Sequence, residues 1–187
     1  MQKNSKYMIF KHKDLVEACV LNDRTAQMEV YNLYYKAMYN TSFNIVNDSF
    51  IAEDIMQDAF IDAFSKLNTF EWRSSFGSWL KRIVVNKSID SIKKYTDTVK
   101  LSEEEADIID SKEESDFEYI QCKLDEIKIS LASLSDSYRA ILVLYLFEGY
   151  DHQEISQILN LPYNNVRVRY MRAKRKLIEG VAKLNNK

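Results

Sequence analysis

The sequence predicts an all-α fold: two helical domains joined by a flexible acidic linker, the second of them a helix-turn-helix. Three observations lead there. The 187 residues include only three glycines and one proline, too few breakers for a turn-rich β-sandwich or barrel. Apolar residues make up 46% of the chain, enough to bury a core. The run Leu101–Glu118, "LSEEEADIIDSKEESDFE", holds nine acidic residues against one lysine. So much like charge with so little apolar surface reads as a linker, dividing the chain into 1–97, 98–118 and 119–187.

The first domain reads as a series of helices. A short one is expected over Asp14–Leu21. Thr25–Val46 follows, with Tyr31, Tyr34, Tyr35, Met38 and Phe43 on a broad apolar face. After the break at "NDS", the stretch "FIAEDIMQDAFIDAFSKL" turns Ile55, Ala59, Ala63 and Leu67 inward. Its opposite face then carries Asp54, Gln57, Asp58, Ile61 and Ser65. The loop "NTFEWRSS" leads into "FGSWLKRIVVNKSIDSIKK". Here Phe76, Leu80 and Ile83 lie on one side and Val85, Ile89 and Ile92 on another, the pattern of a helix packed from two directions.

The second domain opens with a helix from about Tyr119 to Ala132. Ser135 is the expected N-cap of the next helix and Gly149 its stop. Asp151–Leu159 and Asn164–Val181 form two further helices around a turn at Asn160–Tyr163. Asparagine is one of the few non-glycine residues that accept the positive φ such a turn needs. Winding the last helix at about 100° per residue puts Val166, Tyr170, Ala173, Leu177 and Val181 on one stripe. Asn164, Asn165, Val168, Arg172 and Arg175 face away, flanked by Arg167, Arg169, Lys174 and Lys176.

Charge is where function shows. The formal net charge is −2, yet Tyr163–Lys187 holds eight Lys or Arg against one Glu. A solvated helix face ordinarily mixes both signs. This one does not, which points to a polyanion. Two helices, a tight turn and a cationic second helix describe a helix-turn-helix docked on nucleic acid. At its start, Asn164 and Asn165 suit base edges or phosphates, and Val168 a thymine methyl. The arginines further along suit phosphates.

Other classes find little support. The two cysteines, Cys19 and Cys122, are far apart and form no CxxC or Cys/His set, so small buried or half-buried side chains in a reducing cytoplasm are expected. His12 and His152 are the only histidines, and a polar surface role is expected for His152. No metal set, no glycine-rich phosphate loop and no nucleophile–base pair stands out, so neither an enzyme nor a cofactor is expected. No secretory leader and no run of membrane-spanning length is present, which suggests a soluble cytoplasmic protein.

Three stretches in order carry a family resemblance: "AEDIMQDAFIDAFSKL", "FGSWLKRIVVNKSIDSIKK" and "LSDSYRAILVLYLFEGYDHQEISQILNLPYNNVRVRYMRAKRKL". Across Asn22–Glu179, the linker apart, the chain resembles the extracytoplasmic-function class of bacterial RNA polymerase sigma factors. The resemblance implies a first domain that clamps core RNA polymerase and opens the minus-ten promoter element. It implies a second domain that reads the minus-thirty-five element. Asp54, Gln57, Asp58 and Ile61 would then meet the polymerase clamp helices. Asn68, Phe70, Trp72, Arg73, Asn86, Lys93 and Lys94 would serve the minus-ten DNA. Tyr163, Asn164, Asn165, Arg167, Val168, Arg169, Arg172 and Arg175 would serve the minus-thirty-five DNA. An anti-sigma factor is the implied inhibitor. Where the family often has Thr-Val-Lys-Ser-Arg, this chain has Asn165-Val166-Arg167-Val168-Arg169, a departure that bears on promoter sequence rather than docking mode.

Strand opening has its own physical logic. Unstacking a duplex step costs about a few kcal/mol, and a protein without ATP chemistry offsets it by stacking the released base on aromatic rings. The loop aromatics Phe70 and Trp72 are the candidates; Phe76 and Trp79 lie on the inward stripe and read as core. Two alternatives stay open on sequence grounds: a stand-alone regulator that footprints an operator by itself, and a helical scaffold without DNA contact.

Overall fold

The computed structural model describes residues 12–98 and 117–185, and the described residues are helical with one 3-10 turn. The helices are α1 (Lys13–Val20), α2 (Arg24–Val46), α3 (Ser49–Ser65), α4 (Phe76–Thr98), α5 (Phe117–Ala132), α6 (Asp136–Leu146), α7 (His152–Leu159) and α8 (Tyr163–Asn185). The 3-10 turn spans Leu67–Thr69. Two compact units emerge, Met1–Ser91 and Ile92–Lys187. The acidic stretch expected between the domains lies, from 99 to 116, outside the described residues.

In the first unit, capping fixes where helices begin. Asp23 and Asp48 take extended backbone and accept two N–H groups each from the first turns of α2 and α3. These are the orphan donors every helix start leaves behind. Asn22 and Asn47, both at positive φ, turn the chain just before each cap. Val16, Val30, Met38, Ile55, Met56, Ala59, Phe60, Ala63, Leu67, Phe76, Leu80 and Val84 form the core. The expected inward stripe of α3 is therefore present, joined by Ala52, Met56 and Phe60. On α2 the face differs from expectation: Val30 and Ile45 are buried while Phe43 is exposed. Cys19 is buried. The side chain of Cys122 lies outside the described residues.

Helix α4 enters this core closely. A Cβ on Gly77 would stand 2.9 Å from the Tyr34 ring, so glycine lets the first turn of α4 sit against α2. Deeper in, the Ser88 hydroxyl bonds both Ser42 Oγ (3.1 Å) and the Val84 carbonyl (2.9 Å), satisfying a polar pair that burial would otherwise penalise.

In the second unit α6 is the hub, with Ala140, Ile141, Leu142, Val143 and Leu144 all buried. Arg139 is buried too; its guanidinium pairs with Asp136 and donates to the Leu134 carbonyl at 2.9 Å. Ser135 occupies the expected N-cap position, yet its side chain makes no capping bond. Gly149, at φ 77, takes the left-handed turn beyond the end of α6. Helix α8 is longer than expected, reaching Asn185.

The Ser130 hydroxyl donates to the Leu177 carbonyl at 3.0 Å, tying α5 to α8. A Cβ on Gly180 would lie 2.0 Å from that hydroxyl and 3.1 Å from Ser130 Cβ. A double-mutant cycle should therefore change sign. In the native background Ser130→Ala costs about 1 kcal/mol for the lost bond. In a Gly180→Ala background the same change is neutral or stabilising, because it relieves the overlap. Equal effects of Ser130→Ala in both backgrounds, measured by urea unfolding, would contradict this packing.

Candidate nucleic-acid interface

The second unit builds its surface from a short helix and a locked turn. Helix α7 starts with a capping box: Asp151 accepts from Gln153 N–H (2.7 Å) and Glu154 N–H (2.8 Å), and Glu154 accepts in return from Asp151 N–H (2.9 Å). It ends at Asn160, whose φ of 55 and ψ of 47 are the left-handed turn expected there. Ser156 closes the turn. Its hydroxyl donates to the Leu161 carbonyl at 2.7 Å, and Leu161 N–H bonds the Ser156 carbonyl at 3.0 Å.

Buried apolar anchors hold the pair. Ile155 is the one buried side chain of α7, and Val166, Ala173 and Leu177 are those of α8. Tyr170 and Val181 complete the expected stripe as half-buried residues. Three aromatic rings meet alongside: Tyr145 stacks on His152 at 4.8 Å, Tyr170 meets Tyr145 at 4.6 Å, and His152 meets Tyr170 edge-on at 4.9 Å. His152 thus packs between α6 and α8 rather than serving as the expected polar surface residue. Burial pushes the Tyr170 phenol up from its ordinary value, with Tyr145 adding to the shift.

With its stripe buried, α8 presents the rest to solvent. Tyr163, Asn164, Asn165, Arg167, Val168 and Arg172 are exposed, while Arg169 and Arg175 are half-buried. Arg167 lies over the Tyr163 ring at 5.9 Å, and Arg175 pairs with Glu179 at 3.7 Å. Two apolar side chains, Val168 at 51% and Met171 at 64% exposure, stand among these cations. Met171 was not anticipated; it lies three residues beyond Val168 on the same face.

In the first unit the loop after α3 is more tightly packed than expected. Phe70 stacks within a ring cluster, 4.8 Å from Trp72, 5.1 Å from Trp79 and 6.1 Å from Phe76. Phe70, Trp72 and Trp79 are all half-buried against the core. Phe76 is core, as expected, whereas Trp79 is half-buried like the loop aromatics, so one continuous cluster runs from core to surface. Trp72 is held at φ 55, an uncommon conformation for a bulky residue. Arg73 is exposed and pairs with Glu71 at 2.6 Å. Asn68, Asn86, Lys93 and Lys94 are exposed.

Helix α3 turns the opposite sign outward. Asp54, Gln57, Asp58 and Ile61 are exposed, Ile61 at 66%. Gln57 donates to Glu53 at 3.3 Å. Behind this ridge Lys87 of α4 bonds Asp62 at 3.0 Å and stands 3.9 Å from Asp58. That hydrogen bond, before the charges of Lys87 and Lys66, holds the Asp62 carboxyl below its ordinary value. A lowered carboxyl contributes stability that is complete above the ordinary carboxylate range and lost as pH falls through the lowered value. Lys87→Met should raise the Asp62 pKa toward normal and narrow that window; an NMR titration showing no rise would refute the assignment.

Comparison with known proteins matches two family models to the chain. The family model described as Sigma-70 region 2 matches residues 30–98, and the one described as Sigma-70, region 4 matches residues 125–177. Among curated proteins the chain is similar to ECF RNA polymerase sigma factor SigW of Bacillus subtilis (strain 168), 28% identical over 165 residues, covering 83% of this chain and 88% of SigW. It is also similar to ECF RNA polymerase sigma factor SigM of the same organism, 26% identical over 155 residues, covering 80% and 91%. Among solved structures it shares its fold with the sigma factor RpoE in complex with the anti-sigma factor NepR from Bartonella quintana. That match has a TM-score of 0.55 at 22% identity and covers 83% of this chain and 96% of that one. No described helix is long and apolar enough to cross a membrane.

Proposed function

The chain belongs to the sigma-70 family, in the extracytoplasmic-function class of RNA polymerase sigma factors acting in transcription initiation, and from that premise we propose how its surfaces divide the task. The observation that carries the reading is the exposed, almost purely cationic face of α8 opposite an apolar stripe anchored by the buried Val166, Ala173 and Leu177, in a helix-turn-helix. Residues 119–187 form the promoter-reading domain, with α8 in the major groove of the minus-thirty-five element. Asn164, Asn165 and Val168 face base edges; Tyr163, Arg167, Arg169, Arg172 and Arg175 grip the backbone.

Residues 1–97 form the domain that binds core polymerase and opens the minus-ten element. The α3 ridge of Asp54, Gln57, Asp58 and Ile61 meets the clamp helices; its acids repel DNA and suit a cationic protein surface. The cluster of Phe70, Trp72 and Trp79 offers preorganised stacking surface for an unstacked base, with Asn68, Arg73, Asn86, Lys93 and Lys94 around the strand. Rings already packed together lose little freedom when a base joins them. Bond formation belongs to polymerase, so the chain works in the cytoplasm as a specificity subunit rather than as an enzyme. The acidic segment 98–118 links the domains. An anti-sigma factor is the regulatory partner in this reading, as in the Bartonella quintana complex.

Run-off transcription with purified core polymerase tests the whole. Promoter-specific transcripts should require both the chain and core polymerase. Tight binding of an operator by the chain alone, with no effect on polymerase, would reject it in favour of a stand-alone regulator.

A further inference from the structure

The α3 ridge extends beyond the four residues assigned to it. Phe50 is 81% exposed, at the second position of α3. It is no frayed end: Asp48 accepts hydrogen bonds from the backbone N–H groups of Phe50 and Ile51, both at 2.9 Å. The first turn is capped, and a large aromatic side chain is held out from it into water. Winding at about 100° per residue brings Phe50, Asp54, Gln57 and Ile61 within an arc of about 60°. Phe50 and Ile61 are eleven residues apart, which is three turns and about 16 Å along the axis. Two exposed apolar side chains thus bracket an acidic centre on one face of one helix.

We infer that Phe50 is a second apolar anchor of the polymerase-docking surface, seated with Ile61 in apolar pockets of a core polymerase surface whose surrounding groups are cationic. This rests on the reading of α3 as the polymerase-facing ridge and adds a binding residue to it. Charge excludes the main alternative. Glu53, Asp54 and Asp58 are all exposed beside the two anchors, so a nucleic-acid backbone would be repelled there. A protein partner with complementary charge gains twice, from pairing at the rim and from burial of the rings. Buried aromatic anchors flanked by charged rims are also where interfaces concentrate their affinity.

The experiment is a binding titration of the full-length chain against purified core polymerase, comparing Phe50→Ala, Phe50→Trp, Ile61→Ala and Asp54→Arg. Phe50→Ala should weaken binding at least about tenfold. Phe50→Trp should stay within about threefold of the native chain, since the pocket still receives an aromatic ring. Thermal unfolding should be unchanged in both, because the ring packs on nothing it would leave empty. If Phe50→Ala binds like the native chain while Asp54→Arg does not, the anchor is refuted and the ridge survives. If none of the four changes affects binding, the ridge itself is refuted. Loss of promoter DNA affinity without loss of polymerase affinity would make Phe50 a nucleic-acid contact and overturn the inference. So would a native dimer, detected by light scattering, that Phe50→Ala dissolves without altering polymerase binding.

Discussion

Ile155→Ala is expected to lower stability by about 2–5 kcal/mol, because it empties a site that the native side chain fills completely. No other side chain of α7 is fully buried. The helix has eight residues, too few to persist on propensity alone, so its place depends chiefly on that anchor, with the His152 ring packed beside it. In a unit of this size each kcal/mol moves the melting temperature by about 4–8 °C, so a fall of roughly 10 °C or more should appear for the second unit in a melt of the full chain. Function should divide along the same line. Promoter-specific transcription should collapse, since α7 no longer holds the turn that aims α8. Binding to core polymerase through the α3 ridge should stay within about twofold, the two sites being carried by separate units. A melting temperature within 2 °C of native, a change of well under about 1 kcal/mol, would show that α7 is held by something other than Ile155.

That dependence explains which features could be read in advance. Helical periodicity identifies the face of a helix that must be covered, and so Val166, Ala173 and Leu177 on α8, and Ile55, Ala59 and Ala63 on α3, were legible. Asn160 was legible because few residue types accept its backbone conformation. The outward acids of α3 and the cations of α8 followed from the same geometry. Periodicity does not say which neighbour does the covering. Tyr145, His152 and Tyr170 come from three helices, and only the crossing of α6, α7 and α8 brings their rings within 4.6–4.9 Å. The Phe70 loop is similar: a segment without period packs according to what the preceding and following helices leave open, here Phe76 and Trp79.

Some signals were present but passed over. Asp151 followed three residues later by Glu154 is a capping-box pattern with aspartate in the capping position, and it sets the start of α7 one residue later than hydrophobic pattern alone. Phe50 follows an Asp48 N-cap and lies eleven residues before Ile61, a spacing that places both on one face. Arg139 is the opposite case. A buried guanidinium satisfied by Asp136 and the Leu134 carbonyl has no signature in the sequence, because an arginine three residues from an aspartate ordinarily marks an exposed pair.

Reversing Arg167 and Arg172 to glutamate is expected to cut promoter-specific transcription about 100-fold or more at physiological salt. Each site changes from attracting a phosphate to repelling one, and counterion release makes the loss measurable in two independent ways. Affinity of the polymerase complex for promoter DNA falls, and the slope of log affinity against log salt shrinks by about 0.9 for each phosphate contact removed, so by nearly two for the pair. A general weakening of the fold would lower affinity without changing the slope in that proportion, which separates contact from collapse. Asp54→Arg with Asp58→Arg should show the complementary pattern: core polymerase binding weakened at least about tenfold, with the second unit's melting transition unmoved. The two double variants together test whether opposite charge on α3 and α8 divides the labour. If reversing α8 weakens polymerase capture as strongly as it weakens promoter binding, or reversing α3 leaves that capture intact, the charges do not mark separate partners and the assignment of both faces fails.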